Sequence, residues 1–265
     1  MGDWNTLHIF NDRAFYKHLV PDFKDKGAIF KRYMDSLLGK YILWNNSNSE
    51  ARTQQMVAFC RQLLPDFKRH EKYYEIQSRQ KKPTEVYAEF IAQKVRDEDH
   101  FQKENADVIE DLNRLLTLII FTECAAFNPH LILGRRIFSG NVHAKAGSIA
   151  DDIITKIPYS ELGSPYYGNM SNCNGLTNWI TNEELQLLWL DRDNLHVAPD
   201  GSEQYLQEFL AFTELALTHE CGFIAVTNVN ESTLTMIDEP RLKIDIDPKM
   251  KGWEIVITYT RRLDD

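Results

Sequence analysis

Residues 202–226 read SEQYLQEFLAFTELALTHECGFIAV, and this stretch decides the fold class. Tyr205, Leu206, Phe209, Phe212, Leu215 and Ala216 recur three and four apart, the spacing of one face of a helix, while Glu203, Gln207, Glu214 and Thr218 fall outward. Ser202 stands where an N-cap belongs, and the helix is expected to run to about His219, with Gly222 as its stop. The next four residues, Phe223 to Val226, are apolar on both sides of the chain and too few for a helix, so they predict a buried strand. A helix that feeds directly into such a strand calls for layers of both kinds.

Further along, Leu242, Ile244 and Ile246 alternate, and so do Trp253, Ile255, Ile257 and Tyr259, which predicts an antiparallel hairpin turning at Pro248 to Gly252. Thr233 to Ile237 is expected as a third neighbour. Upstream, Thr181 followed by Glu184 makes a capping box for a helix through Leu190. Before it, residues Ser139 to Asn178 turn to Gly, Ser, Asn, Pro and Tyr, including Tyr166, Tyr167 and Gly168. This reads as a long loop with a helix inside it over Gly147 to Lys156, and a long irregular connection is where a site is first sought.

The first half has helical periodicity. After a β-like opening over Leu7 to Phe10, one stripe runs Ile29, Phe30, Tyr33, Met34, Leu37, Leu38 and Tyr41, and a second runs Met56, Phe59, Cys60, Leu63 and Leu64. A third helix follows Pro83, and a fourth carries Val108, Ile109, Leu112, Leu115, Leu116 and Ile119 into a segment apolar on every side, which predicts a central, buried helix. Leu19 to Lys24 (LVPDFK) recurs as Leu63 to Lys68 (LLPDFK), but the residues beyond each copy do not align. Pro-Asp after a helix end is a common start for the next element, and that explains both copies without a repeat. The fold class is therefore read as α+β: a helical region over 1–128, then a mixed region over 129–265 with a small, mainly antiparallel sheet and two or three helices. The two regions form either separate domains or one continuous domain.

Composition narrows the class. Cys60, Cys124, Cys173 and Cys221 lie far apart with no zinc-like spacing, so they are expected as free thiols in a reducing compartment. No apolar run is long enough to span a bilayer, and no basic segment followed by an apolar one opens the chain, which gives a soluble, cytoplasmic protein as the default expectation. Met1 to Thr6 fits the loose myristoylation pattern, but Asp3 directly after the glycine and the missing basic cluster argue against an anchor.

Charge is the most informative property. Net charge is −9, and it belongs entirely to the second half: residues 1–130 hold 19 Lys and Arg against 19 Asp and Glu, whereas 131–265 hold 11 against 20. From Asp193 to Pro240 there is no Lys or Arg, against nine acids: Asp193, Asp200, Glu203, Glu208, Glu214, Glu220, Glu231, Asp238 and Glu239. Such a surface repels nucleic acid. A merely soluble surface mixes both signs, so a one-signed field of this length is expected to steer a partner of opposite charge.

Chemical motifs are sparse: the sequence has no H-E-x-x-H, G-x-S-x-G, Walker A or dinucleotide fingerprint, and nothing in it implies a cofactor. Gly140 to Ser148 places Lys145 before Gly147-Ser148 at a helix start, which allows anion binding or an ordinary Ser148 N-cap. His143 with Asp151, Asp152, Asp191 and Asp193 has the residue types of a divalent-metal hydrolase, although Asp151 and Asp152 point about 100° apart on a helix. His219 beside Cys221 suggests a nucleophile and base, but a thiol next to a glycine and a buried strand reads as packed and inert.

The functional expectation is a non-enzymatic binding protein whose acidic second half docks a basic protein, of inhibitor or toxin-immunity type. The residues expected to bind are Asp193, Asp200, Glu203, Glu208, Glu214 and Glu220, with Tyr166 and Tyr167 from the loop. The alternative is a metal-dependent hydrolase built on His143 and the nearby aspartates.

Overall fold

The computed structural model describes residues 5–43, 49–63, 108, 111–112, 114–133, 142–154, 157, 175–199, 201–227, 234–253 and 256–257. The helix expected after Pro83 and the tyrosine-rich part of the loop, Tyr166 and Tyr167 included, lie outside them, as do Cys173, Asp200 and Glu231.

A five-stranded antiparallel sheet organises the molecule. Its strands are β1 (Asn5–Phe10), β2 (Ala125–Ile132), β4 (Gly175–Ile180), β6 (Gly222–Thr227) and β7 (Val256–Ile257), in the order β4-β6-β1-β2-β7. Two short strands, β3 (Val142–Ala144) and β5 (Leu195–Val197), pair separately. The fold is α+β, as the periodicities predict. The sheet, however, draws on both halves of the chain: β1 lies between β2 and β6, paired with each along its length.

Helices cover both faces. Before β2 come α1 (Asp12–Ala14), a wider π-helical stretch (Phe15–Leu19), α2 (Val20–Lys24), α3 (Ala28–Asp35), α4 (Leu37–Ile42), α5 (Ser49–Leu63) and α6 (residues 114–123). After it come α7 (Ile149–Ile154), α8 (Asn182–Leu190) and α9 (Glu203–Thr218). The alternation of β1 separates two apolar cores. Phe10, with Ile224 and Val226 of β6 and Trp179 of β4, packs against Phe15, Phe23, Phe30 and the buried face of α6; Leu7 and Ile9 pack against Ile153, Leu185, Leu188, Phe209 and Phe212. A strand whose side chains are buried in both directions belongs at the centre of a sheet, and every residue of β1 after Asn5 is buried.

Several local expectations hold. Thr181 and Glu184 close a reciprocal capping box, and α8 ends at Leu190. The first Pro-Asp pair lies in the first turn of α2, and the Asp22 carboxylate also caps α3, accepting from the backbone N–H groups of Ala28 and Ile29 at 3.1 and 2.8 Å. Leu112, Leu115, Leu116 and Ile119 are fully buried, as a central helix requires.

Others are corrected. The stripe over 28–41 is two helices: Ser36 is extended, its hydroxyl accepts from Gly39 N–H, and the restart turns Leu37 and Tyr41 outward. Among the described residues of 242–257 no hairpin forms. Residues 241–247 join no ladder, although Ile244 is buried and Leu242 packs on the second core, and β7 pairs with β2. Period-two burial here marks an extended segment laid on the core rather than a paired strand. Leu234 and Thr235, expected in a strand, are helical. Within 139–178 the described residues hold the expected helix, α7, and add β3 and the start of β4.

The stop after α9 also differs. Glu220, not Gly222, takes the left-handed conformation, at φ 51°. Gly222 opens β6, and a Cβ there would stand 2.0 Å from the carbonyl oxygen of Ile180. The glycine is required by the close approach of β4, not by the helix end.

Candidate functional site

The acidic run is distributed over α9, the turn after α8, and the segment after β6. Asp193, Glu203, Glu214, Glu220, Asp238 and Glu239 are exposed. On α9 the apolar stripe turns inward, with Phe209, Phe212 and Ala216 fully buried, so Glu203, Gln207, Glu214 and Thr218 face solvent as their spacing predicts. Ser202 occupies the N-cap position, but its side chain makes no capping hydrogen bond.

Glu208 departs from the expectation. It is 2% exposed, and its carboxylate accepts from the Gln204 side chain at 2.8 Å across one helical turn. It sits next to Phe209 at the edge of the inward stripe, so a position read from sequence as part of the charged surface belongs to the interior. Glu220 is exposed but meets Arg13 of the first half at 3.1 Å, an exposed pair that solvent screens. Asp200, Tyr166 and Tyr167 lie outside the described residues.

The alternative constellation resolves into separate structural tasks. His143 on β3 lies opposite His196 on β5, with ring centroids 6.0 Å apart. Asp191, at the end of α8, reaches the start of α7: one carboxylate oxygen accepts from Ala150 N–H at 2.8 Å and the other from the Asn194 amide at 2.8 Å. These hydrogen bonds, that of Ala150 first, hold its carboxyl below the usual range. Ser148 accepts from Asp151 N–H at 3.1 Å, and Asp151 in turn accepts from Gly147 N–H at 3.0 Å. The start of α7 is thus capped by the protein's own groups, and Asp191 stands where a bound anion would. Among the described residues no group of three or more His, Cys, Asp or Glu is arranged to hold a metal ion.

The His219 and Cys221 pair is likewise structural. The Cys221 thiol donates to the His219 carbonyl at 3.3 Å, and burial pushes its pKa up to about 12, which keeps it protonated. Cys60 and Cys124 are also buried free thiols raised by burial.

Two buried polar groupings were not singled out by sequence reasoning. His8 and His130 face each other in the middle of the sheet, both fully buried. Glu123, at the end of α6, gathers Arg32 at 2.6 Å, Arg241 at 2.8 Å and the Tyr33 hydroxyl at 2.5 Å. For His8 a signal existed, since it alternates with Thr6 and Phe10 in a strand. For Glu123 none did, because its partners come from two distant segments.

Comparison of the chain with protein-family models, curated proteins and solved structures finds no match in any of the three. Among the described residues no helix is long and apolar enough to cross a membrane.

Proposed function

We propose that the protein is a non-enzymatic binding protein whose acidic second half docks a basic protein, as an inhibitor or immunity-type antidote would. The observation that carries this reading is the absence of Lys and Arg from Asp193 to Pro240, together with the exposure of Asp193, Glu203, Glu214, Glu220, Asp238 and Glu239 within that run. Exposed charges retain reach into solvent, and that reach steers a cationic partner, although Glu220 shares its charge with Arg13. Leu187 and Leu190 of α8, 46% and 77% exposed just before the acidic turn, add the apolar contact that an interface needs at its centre.

The test is a salt series of association rates against the basic protein retained by the native chain at low salt and released at high salt. Glu203→Gln, Glu214→Gln and Glu239→Gln together remove three exposed charges and leave side-chain shape almost unchanged. The association rate is expected to fall about tenfold at low salt and to converge with wild type at high salt, with little change in dissociation. An association rate indifferent to both salt and the triple substitution overturns the reading. So does the failure of any basic protein to be retained.

A further inference from the structure

His8 and His130 are directly opposite each other on β1 and β2, with ring centroids 5.0 Å apart. Both have 0% exposure. Each Nδ1 lies 3.2 Å from the same acceptor, the carbonyl oxygen of Phe127. A carbonyl only accepts, so each imidazole carries its proton on Nδ1. The Nε2 of His8 is then an acceptor, and the Thr6 hydroxyl donates to it at 2.9 Å. With both nitrogens so engaged, the His8 ring is neutral in this arrangement.

The surroundings make a positive charge costly. Phe121 of α6 packs edge-on against His8 at 4.8 Å, and Phe127 stacks on it at 5.8 Å. Ile224 of β6 lies on the other side of His8, and Ile257 of β7 is opposite His130. Among the described residues, the charge that acts on His8 is that of His130, a like charge when both rings are protonated. The ionisable groups that end α6 are committed elsewhere. Glu123 is held by Arg32, Arg241 and Tyr33, and Cys124 is a buried thiol. Burial first, and His130 second, hold His8 well below the ordinary histidine range.

We infer that the His8–His130 pair is an acid-operated latch: in mildly acidic solution, proton uptake by these imidazoles separates β1 from β2 and releases α6 from the sheet, so the fold opens from its centre. The sign follows from linkage. A histidine whose folded-state pKa is depressed contributes its full stability above about pH 6.5, the unfolded value, and that stability is lost as pH falls below it. Each proton taken up on opening multiplies the unfolding constant about tenfold per pH unit in that interval.

The test is urea unfolding between pH 8 and 5 for wild type, His8→Asn and His130→Asn; asparagine places an amide donor where Nδ1–H stands. Wild type is expected to show the steepest rise of the unfolding constant below pH 6.5. Each variant should rise about tenfold less per pH unit, whatever its stability at pH 8. Parallel slopes in all three proteins overturn the inference.

Hydrogen exchange and ring NMR on the wild-type protein decide the matter even if both variants fail to fold. The amides of β1, β2 and α6 should lose protection together in the same pH interval, with both rings remaining neutral Nδ1–H tautomers until they do. A ring that titrates at its ordinary midpoint in the intact fold, or strands that stay protected while peripheral helices open first, overturns it.

Discussion

Glu123 shows how one buried carboxylate can hold three segments. Its side chain is 7% exposed, whereas its arginine partners are 56% and 67% exposed, so the acid bears the desolvation and the cations stay wet. The same contact acts on Tyr33, whose hydroxyl is raised above its ordinary range by burial first and by the hydrogen bond to Glu123 second. Glu123→Gln keeps the volume and removes the charge; hydrogen bonds to charged groups contribute about 1.5–3 kcal/mol, and the exposed arginines argue for the lower end. Urea unfolding at pH 7 should show a loss of about 1–2 kcal/mol, and an unchanged midpoint would mean that the three contacts contribute nothing net. Gly222 is a sterically strict position, as is Gly39, because a Cβ would meet backbone and not a side chain that can swing away. Gly222→Ala should cost about 1–3 kcal/mol by forcing β4 from β6. Gly147→Ala is the control with φ 78° but open space around it, and it should cost less by thermal melting.

At the scale of elements, the capping groups carry the most transferable information. Thr181 accepts from Glu184 N–H at 3.3 Å, and Glu184 accepts from Thr181 N–H at 2.9 Å, which satisfies two donors that the first turn of α8 leaves without helical partners. Thr181→Ala should lower stability by about 1 kcal/mol, a fall in Tm of about 2–4 °C for a chain of this size. A calorimetric scan with no shift would show that the neighbouring Asp12 carboxylate, which accepts from Asn182 N–H at 3.2 Å, suffices as the cap. This end of α8 was legible because a capping box is local: both residues and their target amides lie within four positions. The start of α7 was half legible. Ser148 could be read as its cap, but Asp191, 41 positions away, could not.

For the whole molecule, the same division between local and distant causes explains which parts the sequence made readable. Helical stripes gave α3, α5, α6 and α9, and the apolar run at Phe223 gave β6, since period and burial act within a few residues. β2 was hidden by Asn128-Pro129 in its middle, a pair that ordinarily signals a turn. It persists as a strand because β1 lies along one side of it and β7 along the other. The alternation at Leu242 to Ile246 misled for the converse reason: it records which side chains reach the core, and only a neighbour with free backbone groups makes a strand of it. On the candidate surface, charge sign was readable and exposure was not, so Glu208 was included although the packing around Phe209 buries it. The halves inferred from composition differ in charge, while the sheet they build is common to both.

That sheet has a temporal consequence. β1 is synthesised before the other described strands, yet its two neighbours are β2, whose residues begin at Ala125, and β6, which begins at Gly222. Until the second of these has been synthesised, the backbone of the central strand lacks one of its ladders and its apolar side chains lack one of their two cores. Over that interval the nascent chain carries an unfinished sheet template. It is in this interval, not in the finished protein, that the sequence is most vulnerable to mispairing and in greatest need of chaperone shelter.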